Sequence, residues 1–172
     1  MIVVALVLLL VVFPIVVILL RNVLTEATSI HSSLERDQVL TAIQEVIINL
    51  LGSEELAIFE LIDGGGRLSL ASAVGIDPGR TLHAAVIETL SSGNTYVRPE
   101  LTGSSSDGPA LCIPLKVGER VTGVIAIYSF LSHKERLEPL DHELCALLAT
   151  HAGSALYSSN LYARAKADEP AR

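Results

Sequence analysis

Residues 109–129 read PALCIPLKVGERVTGVIAIYS, two apolar segments that are separated by Gly118 and Glu119. Branched and small apolar side chains fill both segments, and glycine favours a tight turn between them. The pattern therefore predicts a β-hairpin with strands at 110–117 and 120–130. In the first strand Cys112 alternates with larger apolar side chains, so one face of the strand carries smaller residues than the other.

The segments on both sides of this hairpin predict further strands and helices. Apolar positions at intervals of three and four favour a helix at each end of the domain, and Gly52 is placed to end the first one. The order helix, two strands, helix, three strands, helix contains hairpins instead of regular βαβ units. We therefore predict an α+β fold in which an antiparallel sheet of about five strands is packed by N- and C-terminal helices. The predicted helices are 21–51, 81–90 and 138–164, and the predicted strands outside the central hairpin are 56–62, 67–74 and 95–97.

Three segments in this order resemble the GAF domain, a sensor module of phosphodiesterases, phytochromes and bacterial signalling proteins. They are LLGSEELAIFELIDGGGRLSLASAVG at 50–75, PALCIPLKVGERVTGVIAIYS at 109–129 and LDHELCALLATHAGSALYSSNLYARA at 140–165. PAS domains share the architecture and are the alternative. The resemblance implies a fold and not a reaction. It also implies a pocket between the sheet and its covering helices and loops, and dimerisation through the first and last helices.

Residues 2–20 read IVVALVLLLVVFPIVVILL and contain no charged or polar side chain. A helix of this length spans about 28 Å, which is close to the hydrocarbon thickness of a bilayer. Pro14 is compatible with such a helix because neighbouring groups can compensate for a proline in the membrane. A signal peptide would instead have a basic start, a shorter apolar core and a cleavage site. The sequence therefore predicts a single-pass membrane anchor at 1–21 that contacts lipid.

Arg21 directly follows this apolar segment, and positive charge beside a membrane helix favours the cytoplasmic side. We therefore expect a protein of the cell membrane whose soluble domain lies in the cytoplasm. The predicted divisions of the chain are the anchor at 1–21, a juxtamembrane helix at 22–35, a GAF-like domain at 36–165 and a disordered tail at 166–172.

Charge is confined to the part of the chain that starts at Arg21. The 172 residues include 12 Lys and Arg and 19 Asp and Glu, which give a formal net charge of −7. An acidic domain without a basic patch argues against nucleic acid as a partner. Cys112 and Cys145 lie in apolar surroundings, as is typical of buried thiols in a reducing compartment, although two cysteines can also form a disulfide.

Candidates for lining the predicted pocket are Phe59, His83, Tyr96, Cys112 and Tyr128. Cys112 lies on the small-residue face of its strand, and Tyr128 is expected to share a face with Thr122 and Ala126. Either residue could instead be an ordinary core residue. His83 lies near the start of a predicted helix, where it could contact an anionic ligand or lie in a solvated loop.

The motifs of specialised members of the family are missing from the sequence. The Asn-Lys and Phe-Asp-Glu signature of cyclic-nucleotide-binding members does not occur, and neither cysteine is followed by the histidine that is typical of bilin attachment. His142, Cys145 and His151 could suggest a metal site. At 3.6 residues per turn, however, His151 lies on roughly the opposite side of a helix from Cys145. We therefore predict no metal, no cofactor and no enzymatic activity.

Three hypotheses about function follow from these predictions. The leading one is a non-catalytic, membrane-tethered signalling or scaffold module that forms a homodimer and acts through contacts with an unidentified signalling protein. The second is a small-molecule sensor that binds a ligand in the pocket. The third is a thiol-based redox enzyme that uses Cys112, for which a second cooperating cysteine is not apparent because Cys145 lies on the last predicted helix.

Overall fold

The computed structural model describes residues 32–62, 67–101, 108–131 and 134–167. Its centre is a five-stranded antiparallel sheet with the strand order β2-β1-β5-β4-β3. The hairpin that the central stretch predicts is the β4–β5 pair, and the predicted α+β architecture is confirmed. The strands are β1 Glu55–Ile62, β2 Arg67–Val74, β3 Tyr96–Val97, β4 Leu111–Val117 and β5 Arg120–Ser129.

The described residues form four α-helices that pack on this sheet, and two of these helices continue into a π-helical turn. The helices are α1 Ser32–Val46, α2 Ala84–Ser92, α3 Pro139–Leu147 and α4 Gly153–Ala167. A π turn at Ile47–Leu51 extends α1, and a second one at Leu148–Ala152 joins α3 to α4. Gly52 ends the first helical segment in the left-handed conformation, with φ 73°, as its position in the sequence predicts.

The large branched side chains of the sheet point toward α1, α3 and α4, and we call this side the helix face. It forms the main core, because the three helices place their own apolar side chains over it. The largest fully buried residues of this core are Ile47, Leu51, Leu56, Ile58, Leu111, Ile113, Leu115, Ile125, Ile127 and Leu148. The opposite side is covered by α2, and we call it the α2 face.

The helix predicted at 81–90 begins three residues later, at Ala84, because the chain before it is held in a separate turn. Pro78–Arg80 form a short 3-10 turn, in which the Asp77 carboxylate accepts a hydrogen bond of 2.9 Å from the Gly79 N–H. The Thr81 hydroxyl donates to the Pro78 carbonyl oxygen at 2.8 Å. These bonds favour a turn over an early start of the α-helix.

The last helix is predicted as one continuous element, whereas the structure interrupts it with the second π turn. Its start is defined by a capping box between Glu138 and Asp141. After the π turn, Gly153 lies directly against β4, where an added Cβ atom would come within 2.5 Å of both the backbone nitrogen and the carbonyl oxygen of Lys116. Only glycine permits this approach of the helix to the strand.

The predicted anchor at 1–21 lies outside the described residues, as do most of the juxtamembrane helix at 22–35 and most of the tail at 166–172. Among the four described ranges, no helix has both the length and the apolar character that are needed to cross a membrane.

Candidate functional site: the α2 face of the sheet

All five candidate pocket residues lie on or beside the α2 face. Tyr96 pairs with Cys112, Cys112 pairs with Ala126, and Ala126 pairs with Ala57, so the four residues form one row across β3, β4, β5 and β1. Three of the four side chains are small. The larger buried members of the cluster are Phe59, Val86, Val124 and Tyr128.

Tyr128 ties the segment before α2 to the centre of the sheet. Its side chain is fully buried, and its hydroxyl donates a hydrogen bond to the carbonyl oxygen of Thr81. The ring of His83 lies 5.9 Å from that of Tyr128, measured between centroids, with a tilt of 56°. Burial raises the pKa of Tyr128, and the nearby Cys112 adds to the effect. The phenol therefore stays neutral and keeps its donor role at physiological pH.

Cys112 lies at the middle of the row and is fully buried. Burial raises the pKa of its thiol to about 12, and although the neighbouring Thr89 hydroxyl acts in the opposite direction, burial outweighs it. At pH 7 only about one thiol in 10⁵ is then ionised, and the thiolate is the reactive form of cysteine. The arrangement is that of an unreactive core thiol.

Thr89, on α2, is the polar residue that faces this cluster without a full set of hydrogen bonds. Its side chain is completely buried, and Oγ1 makes no hydrogen bond of normal geometry among the described residues beyond its weak interaction with the Cys112 thiol. A buried hydroxyl in this state costs about 1–3 kcal/mol. A polar ligand on the α2 face could therefore form a hydrogen bond with Thr89 Oγ1.

The residues that suggested a metal site are not brought together. Cys145 is buried in the core of the helix face, whereas His142 and His151 are exposed. The ranges that the structure describes contain no group of three His, Cys, Asp or Glu side chains placed to hold a metal ion. Burial also raises the pKa of Cys145, to about 12. Both cysteines are free, and they belong to cores on opposite faces of the sheet.

A second polar site lies on the helix face, and the sequence analysis missed it. Glu60 of β1 forms an ion pair with Arg36 of α1 through Oε2, and its Oε1 accepts a hydrogen bond of 2.7 Å from the Asn160 side-chain N–H of α4. Arg36 Nε donates to the Asn160 amide oxygen at 3.0 Å. We call these three residues the Glu60 network. A lone acid within the apolar strand segment LAIFELI was the signal that could have revealed it.

Beside this network is a small cleft with a volume of about 100 Å³, and Thr122 lies in its wall with Leu115 and Leu156. The prediction that Thr122 shares a face with Tyr128 is therefore wrong. The pairing of β4 and β5 shifts at this point, since Leu115 pairs with Gly123 but Lys116 pairs with Val121. The extra residue is a β-bulge, which reverses the alternation of side chains.

Comparisons with known proteins agree with this architecture. The sequence matches the GAF domain family over residues 35–157, and no curated protein matches the chain. Among solved structures, the A. aeolicus nlh2 GAF domain in an inactive state is 21% identical, with 83% of this chain and 93% of that chain covered and a TM-score of 0.58.

Two GAF domains of bacterial histidine kinases are similar to the same extent. The GAF domain of the potassium sensor histidine kinase KdpD from Escherichia coli is 15% identical, with 88% and 98% of the two chains covered and a TM-score of 0.58. The GAF domain of a two-component sensor histidine kinase from Bacillus halodurans is 17% identical, with coverages of 74% and 97% and a TM-score of 0.55. At these identities the similarity shows the fold.

Proposed function

Because this chain belongs to the GAF domain family, we propose that it is a non-catalytic signalling or scaffold module that acts through contacts with other protein chains. The observation that carries the proposal is the chemistry of the α2 face. Cys112 and Tyr128, the side chains that could take part in chemistry there, are fully buried and hold their protons. A buried neutral thiol and phenol suit a packed core better than a reaction.

The surface that supports contacts with another chain is on α4. This helix buries Leu156 against the sheet but exposes Tyr157, Leu161 and Tyr162, of which Tyr162 is 63% exposed. Exposed aromatic and branched side chains on one helix are typical of interaction surfaces. We propose that α4 forms a homodimer through these residues and that the same region presents the module to its signalling partner.

Disulfide cross-linking of the full chain tests the homodimer directly. The native cysteines are buried, so a cysteine introduced at the exposed Ser158 is the thiol available for mild oxidation. We expect Ser158→Cys to form a covalent dimer, and Glu119→Cys, in the turn between β4 and β5, to serve as the matched control that does not. Leu161→Glu should abolish the cross-link. A monomeric mass by light scattering, with no cross-linking at Ser158→Cys, would contradict the dimer.

We further propose that residues 1–21 anchor the module in the cell membrane with the domain in the cytoplasm. The support is the uncharged apolar segment and Arg21 behind it. Arginine at the centre of a membrane helix costs about 2.5–3.5 kcal/mol per residue. The variant Leu9→Arg with Val12→Arg should therefore move the chain from the alkali-resistant membrane fraction to the soluble one. A C-terminal reporter that is active only outside the cytoplasm should stay silent, and activity would reverse the proposed orientation.

A small-molecule sensor is the second candidate, and Thr89 is the observation that favours it. A ligand with a polar atom near Oγ1 would remove the cost of the buried hydroxyl. The test is a thermal-shift screen of the full chain against nucleotides, haem and metabolites, in parallel with Thr89→Val. A compound that stabilises the parent chain but not Thr89→Val would favour the sensor, and no stabilisation by any compound would favour the scaffold. The redox hypothesis has no comparable support, because the Cys112 thiol is protonated and sealed from solvent.

A further inference from the structure

The Glu60 network joins three elements that are far apart in the sequence. Each of its residues bonds to both of the others: Glu60 to Arg36 and Asn160, and Asn160 to Arg36. The helices α1 and α4 are therefore connected twice, once directly and once through the carboxylate of β1. Such a closed ring of polar groups has fewer arrangements in which all partners are satisfied than three separate pairs would have.

Burial makes this ring sensitive to movement. The Glu60 side chain is only 6% exposed, so the one route by which water could replace a lost partner is the neighbouring cleft, and that exchange would cost the charge-assisted bond. The Arg36 side chain is 28% exposed and reaches Glu60 from the rim. If α1 moves away from the sheet, Glu60 loses its cation and Asn160 loses the donor to its amide oxygen. The contacts that hold α4 thus depend on the position of α1.

We propose that the Glu60 network couples the positions of α1 and α4, so that a displacement of either helix is transmitted to the other. Coupling of this kind is reciprocal by thermodynamic necessity. The two helices carry the chain into and out of the described domain, and the ring gives them a shared point of attachment on the sheet. The inference concerns the inside of one chain and does not depend on the proposed function.

Hydrogen exchange measured by mass spectrometry on the full chain in detergent tests this coupling. Asn160→Ala changes α4 alone, and Arg36→Met changes α1 alone while keeping most of the apolar stem. We expect Asn160→Ala to raise amide exchange in α1, and Arg36→Met to raise it in α4, by about threefold or more. Amide exchange in the double variant should be only slightly faster than in either single variant, because both substitutions open the same ring.

A matched control is available in the same helix. Gln44 of α1 donates a hydrogen bond of 2.6 Å to Ser72 of β2, and neither side chain is hydrogen-bonded to a residue of the ring. Gln44→Ala should raise exchange in α1 and β2 but leave α4 unchanged. Exchange in each helix is taken relative to that of the β4–β5 hairpin, so that a general loss of stability cancels.

The outcomes separate clearly. Faster amide exchange in the helix that was not substituted supports the coupling, provided that Gln44→Ala does not cause it in α4. Faster exchange that is limited to the substituted helix, and that is additive in the double variant, would overturn the coupling. Arg36→Lys, which keeps the charge but offers fewer donors, is the milder variant if Arg36→Met does not fold, and it should still raise exchange in α4. Light scattering on the same samples shows whether a change of oligomeric state, and not the ring, is responsible.

Discussion

The two faces of the sheet differ in the size of their side chains and in how their polar groups are paired. On the helix face the strands contribute Ile and Leu, three helices cover them, and the buried Glu60 has a partner for each oxygen. On the α2 face three of the six buried strand residues are small (Ala57, Cys112 and Ala126), a single nine-residue helix covers this side of the sheet, and the Thr89 hydroxyl makes no hydrogen bond of normal geometry.

The two faces therefore contribute unequally to the free energy of folding. Buried branched side chains that interlock over a large area supply most of the favourable energy of folding. A face with smaller side chains on average and one short covering helix contributes less, so we expect α2 to open at a lower free-energy cost than the helices of the helix face. We therefore expect the helix face to contribute most of the stability of the domain.

The largest expected effect comes from two neighbouring residues that point to opposite faces. Ile113→Ala removes a branched side chain from the main core and should lower the free energy of unfolding by about 2–5 kcal/mol. Cys112→Ala, one position earlier, removes one small group from the α2 face and should cost about 1 kcal/mol. Urea unfolding followed by circular dichroism measures both. Equal losses would contradict the contrast between the faces.

Alkaline pH should weaken the protein through one thiol on each face. The pKa values of Cys112 and Cys145 are raised from 9.0 to about 12, so the unfolded chain releases these protons first. The stabilisation is nearly complete at pH 8 and is lost as the pH rises toward 12, with each thiol accounting for about 2 kcal/mol between pH 8 and 10.5.

Substitution of either thiol should remove its own part of this dependence. The free energies of unfolding of Cys112→Ala and Cys145→Ala, measured in urea at pH 8 and 10.5, are compared with those of the parent chain. We expect each variant to lose less stability than the parent over this interval. A pH dependence that matches the parent in both variants would mean that other groups cause the alkaline loss.

Tyr128→Phe should loosen the cover of the α2 face without disturbing the helix face. The substitution removes the donor to the Thr81 carbonyl oxygen and should cost about 1.5 kcal/mol. Hydrogen exchange in α2 should rise more than in α1. Tyr157→Phe, at an exposed position of α4, is the control and should stay within about 0.5 kcal/mol of the parent. An equal rise of exchange in both helices would show that Tyr128 supports the whole fold.

The smallest expected effect is a gain. Thr89→Val keeps the shape of the side chain and removes a buried hydroxyl whose only described interaction is a weak one with the Cys112 thiol, so the free energy of unfolding should rise by up to about 1 kcal/mol. Thr41→Val is the control, because that exposed hydroxyl donates to the Asp37 carbonyl oxygen and its loss should bring no gain. A loss of stability in Thr89→Val would show that the hydroxyl has a partner in solution.

The elements that the sequence predicts well are those with local causes. Alternating apolar residues around Gly118 give the central hairpin, and Gly52 marks the end of the first helix because only local backbone geometry is involved. The same alternation places Cys112 and Tyr128 on one face. That the five candidates line a ligand pocket remains a prediction. The strands decide which face a side chain lies on, but only a ligand can show that the face binds one.

The features that the sequence did not predict have causes that are distant in the chain. The bulge that turns Thr122 to the other face depends on how β5 pairs with β4. The partners of Glu60 come from 24 and 100 residues away, so no local pattern can identify them. The π turn before Gly153 likewise reflects contact with β4, which an uninterrupted helical period does not reveal.

The contact at Gly153 limits which movements the last helix can make. Sliding the helix by one turn along its axis would bring the Cβ atom of Ala149 or Tyr157, four residues away on either side, onto the backbone of Lys116, where there is no space for one. Ratchet-like shifts of one element past another are therefore blocked at this crossing. The contact does not itself oppose a tilt about the glycine, which would move the two ends of the helical segment in opposite directions. Gly153 would thus be the pivot of any tilt of the last helix.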